Sequence, residues 1–226
     1  MGRLFLIGGG NFIDREIKKF DDFLISKVKK NPNIVYLPTA SQDKETNINN
    51  FKNIYQQEYN ANVFVITLTK NKYSFEQLKD KILNADIIYV GGGNTKYMLD
   101  IWKENHLVDI LIEAYKKNII LAGISAGAIV WFKGAYTDYS SFEYNFNYYN
   151  FKLIEGIGLI NMNCCPHYDV PGKEEFNEIG GIALENNSAL YIDDENYLSL
   201  TIKGASVYYI KDRIIELKEG NLKCLN

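Results

Sequence analysis

Histidine and cysteine are scarce in this 226-residue chain, with two of the first and three of the second. The cysteines are Cys164, Cys165 and Cys224. An odd number with one adjacent pair is no disulfide framework, since neighbours in sequence rarely bridge each other. Free thiols fit a reducing, cytoplasmic setting. Adjacent cysteines also miss the two-to-four-residue spacing of zinc ligands, so Cys164, Cys165 and His167 are read as strand residues rather than as a metal site. No metal or cofactor is expected. Long apolar runs are missing as well. None approaches the roughly 18 residues of a membrane span. The apolar run at residues 4–7 is too short for a signal-peptide core. An excess of basic charge is absent, with a net charge of −3 and a pI near 5.5, which excludes the electrostatic footprint of a nucleic-acid binder. Arginine occurs only as Arg3, Arg15 and Arg213.

What is present is a core-forming chain. Hydrophobic residues make up 46% of the sequence, and the length suits one domain over residues 1–226. The first half alternates apolar, β-branched runs at 3–7, 34–37, 63–66, 87–90 and 119–124 with helical patterns at 14–30, 45–59, 74–84 and 95–117. That alternation predicts a mainly parallel sheet covered on both faces, with ligands beyond the C-terminal strand ends. Residues 135–151, rich in Tyr, Phe and Asn, interrupt it and read as a surface excursion or a substrate-contacting segment. The short runs between 188 and 218 predict antiparallel strands closing the sheet edge.

Residues 119–132 read IILAGISAGAIVWF. A buried strand runs into a helix through Gly123-Ile124-Ser125-Ala126-Gly127, the G-x-S-x-G pattern of a nucleophile elbow. A serine on so sharp a turn needs small neighbours two before and two after. The helix N-terminus behind it offers N–H groups to a developing oxyanion. A serine nucleophile needs a base. His106 lies in a polar helical stretch, so His167, at the end of an apparent strand, is the candidate. The base needs an acceptor for its other nitrogen, and Asp138, Glu143 and Asp169 are all open to that role. Ala126 supplies one oxyanion donor. The turn Gly91-Gly92-Gly93-Asn94-Thr95 supplies a second, because glycine lets backbone approach a substrate closely. Lys96 stands where the third glycine of a dinucleotide fingerprint belongs, which argues against a nucleotide site.

Together, Gly91-Gly92-Gly93-Asn94-Thr95, Gly123-Ile124-Ser125-Ala126-Gly127-Ala128 and Pro166-His167-Tyr168 resemble the peptidase E (dipeptidase E, aspartyl dipeptidase) family of serine peptidases, which also contains cyanophycinase. The resemblance covers residues 1 to about 210. It implies a flavodoxin-like three-layer α/β sandwich, like the class I glutamine amidotransferases, with antiparallel C-terminal strands. It implies Ser125 as nucleophile, His167 as base, Asp138 in Tyr136-Thr137-Asp138 as the third residue, and Gly92 or Gly93 as oxyanion donor. Asn94, Thr95 and Lys173 are the expected substrate contacts. The chain departs from the family at one point. Members that cleave after an N-terminal aspartate hold its carboxylate with an arginine downstream of the histidine. Here residues 172–181 carry only Lys173, which lacks the bidentate fork of arginine. The expectation is a cytoplasmic serine hydrolase, monomer or homodimer, acting on dipeptides or short peptides, with an acidic N-terminal residue as one substrate class. A different amide or ester hydrolase on this scaffold, or a non-catalytic small-ligand binder, are the alternatives.

Overall fold

Period-two patterning explains the central layer. In the computed structural model, which describes residues 2–138 and 150–225, strand β1 (Arg3–Ile7) sends Leu4 and Leu6 to one face and Phe5 and Ile7 to the other. β2 (Asn33–Leu37), β4 (Ile87–Val90) and β5 (Ile120–Ile124) divide their side chains in the same way. A strand apolar on both faces is stable only when both are covered. Helices α1 (Lys18–Ser26) and α2 (Glu45–Tyr59) cover one face with Phe20, Leu24, Phe51 and Tyr55. Helices α3 (Phe75–Leu83), α4 (Thr95–Glu104) and α5 (Leu107–Lys116) cover the other with Leu78, Met98, Trp102 and Ile110. β3 (Asn62–Val65) completes the parallel part. After β5 come the short helix α6 (Ala126–Ile129), β6 (Phe132–Asp138), β7 (Phe151–Glu155), β8 (Ile160–Cys165), the short helix α7 (Phe176–Ile179) and β9 (Gly181–Leu184). The chain ends through β10 (Ser188–Asp193), β11 (Asn196–Thr201), β12 (Val207–Ile210), β13 (Ile214–Glu216) and β14 (Glu219–Asn221).

These strands form two sheets. The first has the order β14-β11-β10-β1-β5-β4-β2-β3, parallel from β1 through β3 and antiparallel beyond β10. The α/β flavodoxin-like expectation holds, including antiparallel C-terminal strands at its edge. The second sheet, β13-β12-β9-β8-β6-β7, was not expected. It takes β12 and β13 away from the edge they were predicted to close. Its inward residues Ala135, Cys164, Ile182 and Val207 join the core on the α3–α5 side. Among the described residues no helix is long and apolar enough to cross a membrane.

Two predicted helices differ. The pattern at 14–30 becomes helical only at Lys18, because Asn11 ties the preceding turn. Its side chain accepts from the Asp14 N–H at 3.0 Å, and its own N–H donates to Glu16 Oε2 at 3.1 Å. The pattern at 95–117 is two helices, broken at His106, whose φ is +53°. His106 is exposed there. Of the aromatic stretch, residues 135–138 lie in β6 and Phe151 opens β7; residues 139–149, with Glu143, fall outside the described residues.

Candidate active site

Ser125 follows β5 directly and has φ +56° and ψ −116°, a backbone conformation costly for any side chain. Backbone hydrogen bonds hold it there, including one from Ile129 N to its carbonyl at 3.2 Å. Its N–H donates to Ile7 O at 2.9 Å, and its carbonyl accepts from Ala128 N at 2.9 Å. The flanking glycines are steric necessities. A Cβ on Gly123 would lie 2.2 Å from Gly127 O, and one on Gly127 would lie 2.2 Å from Val90 O. At the start of α6 the N–H groups of Ala126 and Gly127 have no intrahelical acceptor, and they lie next to the serine in the chain.

His167 arrives from the second sheet, just past β8. Its Nε2 lies 2.8 Å from Ser125 Oγ and its Nδ1 lies 2.7 Å from Asn186 Oδ1. An amide oxygen only accepts, so Nδ1 carries the proton and Nε2 is left to accept from the serine hydroxyl. Asn186 is itself fixed by Asp169. Its Nδ2 donates to both carboxylate oxygens, at 3.0 and 3.1 Å, and its backbone N–H donates to Oδ1 at 2.7 Å. Burial lowers the proton affinity of His167 below the ordinary histidine value of 6.5, and the Lys173 charge adds to that; the Asn186 bond and the Asp169 charge oppose it.

The expectation for Asp138 is corrected. The nitrogen of His167 that faces away from Ser125 meets Asn186, not Asp138. Asp138 ends β6 opposite Phe151, where its charge acts on Lys173. Asp169, one of the open candidates, lies at one remove, behind Asn186. Asn186 escaped sequence reasoning because only carboxylates were weighed as acceptors. A side-chain amide oxygen accepts equally well. Its signal was position: it sits in the turn between β9 and β10, on the same strand-end edge as the glycine turns.

The glycine turns surround the pair. A Cβ on Gly9 would fall 2.3 Å from His167 Nδ1 and 2.1 Å from Asn186 Oδ1. A Cβ on Gly92 would lie 3.3 Å from Ser125 Cβ, so this backbone runs alongside Ser125. Gly93, at φ +142°, instead packs on Ala40 O. Asn94 and Thr95, the expected substrate contacts, have their side chains engaged within the protein. Asn94 is buried and caps α4, accepting from Tyr97 N at 2.8 Å. Thr95 is buried with its Oγ1 3.1 Å from that of Thr137. Lys173 is only 3% exposed, with Nζ 3.8 Å from the Phe151 ring centre and 5.0 Å from that of Tyr136. Burial lowers its pKa. Cys164 and Cys165 are buried strand residues, and burial pushes the Cys165 thiol up to about 12. A cavity of about 650 Å³ opens beside the pair, touching His167, Asn186, Gly91, Gly92 and Ile124.

An alcohol on a strained strand-to-helix turn, hydrogen-bonded to a neutral imidazole beside a glycine-lined cavity, has the geometry of a serine hydrolase on an α/β scaffold. The chain belongs to peptidase family S51, whose model matches residues 4–208, and is thereby a serine peptidase. It is 30% identical over 225 residues to the uncharacterized peptidase YgaJ of Bacillus subtilis (strain 168), covering 93% of this chain and 92% of that protein. It is 26% identical over 103 residues to the uncharacterized peptidase PM1590 of Pasteurella multocida (strain Pm70), covering 45% and 48%. Among solved structures, a peptidase from an acI-B1 Actinobacterium superposes with a TM-score of 0.73 at 21% identity, covering 98% of this chain and 97% of that one. A putative peptidase E protein from Listeria monocytogenes EGD-e gives 0.67 at 20% identity, covering 90% and 100%. Both share the fold.

Proposed function

We propose that the chain hydrolyses dipeptides or short peptides through Ser125, with His167 as general base and the Asn186–Asp169 pair as the orienting group. The observation that carries this reading is the 2.8 Å contact between His167 Nε2 and Ser125 Oγ on the strained elbow. Ser125 attacks the scissile carbonyl and gives its proton to Nε2. The Gly92 and Ala126 N–H groups take the oxyanion, Gly92 being the glycine beside the serine. His167 then protonates the leaving amine, and water releases the acyl group. Asn186 holds the productive tautomer, the role first given to Asp138. It carries no charge of its own, so Asp169 behind it supplies the negative field that favours the transient imidazolium. Lys173, buried over Phe151, is read as setting the charge state of His167 rather than as a receptor for an acidic substrate residue. The free thiols fit action in a reducing compartment.

Ser125→Ala tests the reading. The variant should fold and lose peptide hydrolysis by a factor of about 10³ or more, and a fluorophosphonate should label the parent protein at Ser125 only. Turnover retained by the folded variant would refute the assignment. An unlabelled parent protein favours a binding protein instead.

A further inference from the structure

The cavity beside Ser125 is walled on one side by stacked aromatic rings. Tyr36 and Phe51 lie 4.0 Å apart and 3° from parallel. Tyr89 is 4.9 Å from Phe51, and Phe12 stacks on Phe51 at 5.9 Å. These four rings line the same cavity as His167 and Gly92. Ile13, 61% exposed, sits at its wall in the loop between β1 and α1. An exposed isoleucine beside a ring stack is apolar surface that a ligand can cover. The polar lining is mostly amide, from Asn11, Asn47 and Asn50, which suits the peptide groups of a bound chain.

Charge sharpens the choice. Among the described residues no lysine or arginine lines this cavity, and its one carboxylate, Glu16, is already engaged by Lys203 and by the Asn11 N–H. A substrate carboxylate would lose its water there, face Glu16 and gain no counter-ion. A cationic side chain would meet a carboxylate whose charge Lys203 already answers.

We propose that this cavity is a specificity pocket for a bulky, uncharged and preferably aromatic side chain next to the scissile bond. The proposal rests on the hydrolase reading and narrows its substrates to peptides with Phe, Tyr or a large aliphatic residue at that position, in place of acidic ones. Asn47, half-buried in the first turn of α2, is a lining residue at which a substitution changes the pocket's charge.

The test is a panel of Phe-Ala, Tyr-Ala, Leu-Ala, Asp-Ala and the reversed dipeptides, read as kcat/KM, with fluorophosphonate labelling of Ser125 run in parallel. The best aromatic substrate should exceed the best acidic one by about tenfold or more. In Asn47→Arg that ratio should fall and acidic dipeptides should gain, because the new guanidinium supplies the missing counter-ion. A labelled enzyme that prefers acidic dipeptides, or cleaves no aromatic one, overturns the pocket assignment and leaves the hydrolase reading standing. So does a folded, labelled Asn47→Arg variant with an unchanged ratio. Failure of both labelling and cleavage overturns the two readings together.

Discussion

His167 is the residue on which the site's electrostatics converge. Burial and the Lys173 charge both lower its proton affinity, so the imidazole is neutral, and able to act as a base, down to a pH below the ordinary histidine value. The acid limb of kcat/KM should therefore lie below pH 6.5, the ordinary value. Lys173→Met keeps a buried apolar stem and deletes the charge. Protonation of His167 then becomes easier, its pKa rises, and the limb should move to higher pH with the alkaline plateau retained. A pH profile of kcat/KM for the two proteins checks this, and an unmoved limb would show that Lys173 does not act on the imidazole. At this scale the sequence was readable where it offered few choices. Two histidines, one of them in a polar stretch, left His167. It was unreadable where choices were many. The acceptor for Nδ1 was sought among Asp138, Glu143 and Asp169, whereas an amide 19 residues downstream makes the contact. Nothing in local spacing links residue 167 to the β9–β10 turn; only the pairing of two sheets does.

At the scale of elements, the site depends on loops that approach one another at backbone distance. The clearest instance is the turn after β1. Gly9 leaves room for the His167 ring and the Asn186 amide, and an added methyl would meet both within 2.4 Å. Gly9→Ala should therefore push the ring from its bond with Ser125. The expected outcome is a loss of kcat of roughly 10²-fold, the scale of a 1 Å misplacement. KM should change less than kcat, because Gly9 is not among the residues lining the cavity. Steady-state kinetics on the folded variant reads the split. A variant with parental kcat would show that the ring and amide can shift without cost. The strands that carry these loops were legible, since Leu4 to Ile7 and Ile87 to Val90 are buried on both faces and read as short apolar runs. Helix ends were less so. The stop after Glu104 depends on His106 adopting a positive φ, and apolar periodicity passes through that point without a break.

The whole molecule joins two sheets, and the site lies where they meet. Ser125 follows a strand of the eight-stranded sheet and His167 follows one of the six-stranded sheet. Asn186 sits in the turn that carries the chain from β9 in the second sheet to β10 in the first. The second sheet was not legible as a separate sheet because an apolar run does not name its partner: β6 pairs in parallel with β8 across the intervening β7, and β9 pairs with β12 across β10 and β11, so β12 and β13 read equally well as edge strands of the first sheet. What keeps the sheets in register is their common core. Leu6, Val90 and Leu121 of the first sheet share it with Ala135, Cys164 and Ile182 of the second. Trp131 is central to that argument. It is fully buried where the chain leaves α6 for β6, with its ring 6.1 Å from that of Trp102. Truncation to alanine leaves a large cavity and should cost about 3–5 kcal/mol, lowering Tm by roughly 10 °C. Trp131→Phe should cost much less, because it keeps the ring packing and removes an indole N–H that is buried without a partner among the described residues. The same variants test whether the site is a property of the joined sheets. If it is, fluorophosphonate labelling of Ser125 and far-ultraviolet circular dichroism should be lost at the same temperature in each protein. Labelling lost well below the unfolding transition would show instead that His167 and Ser125 separate while both sheets are still folded.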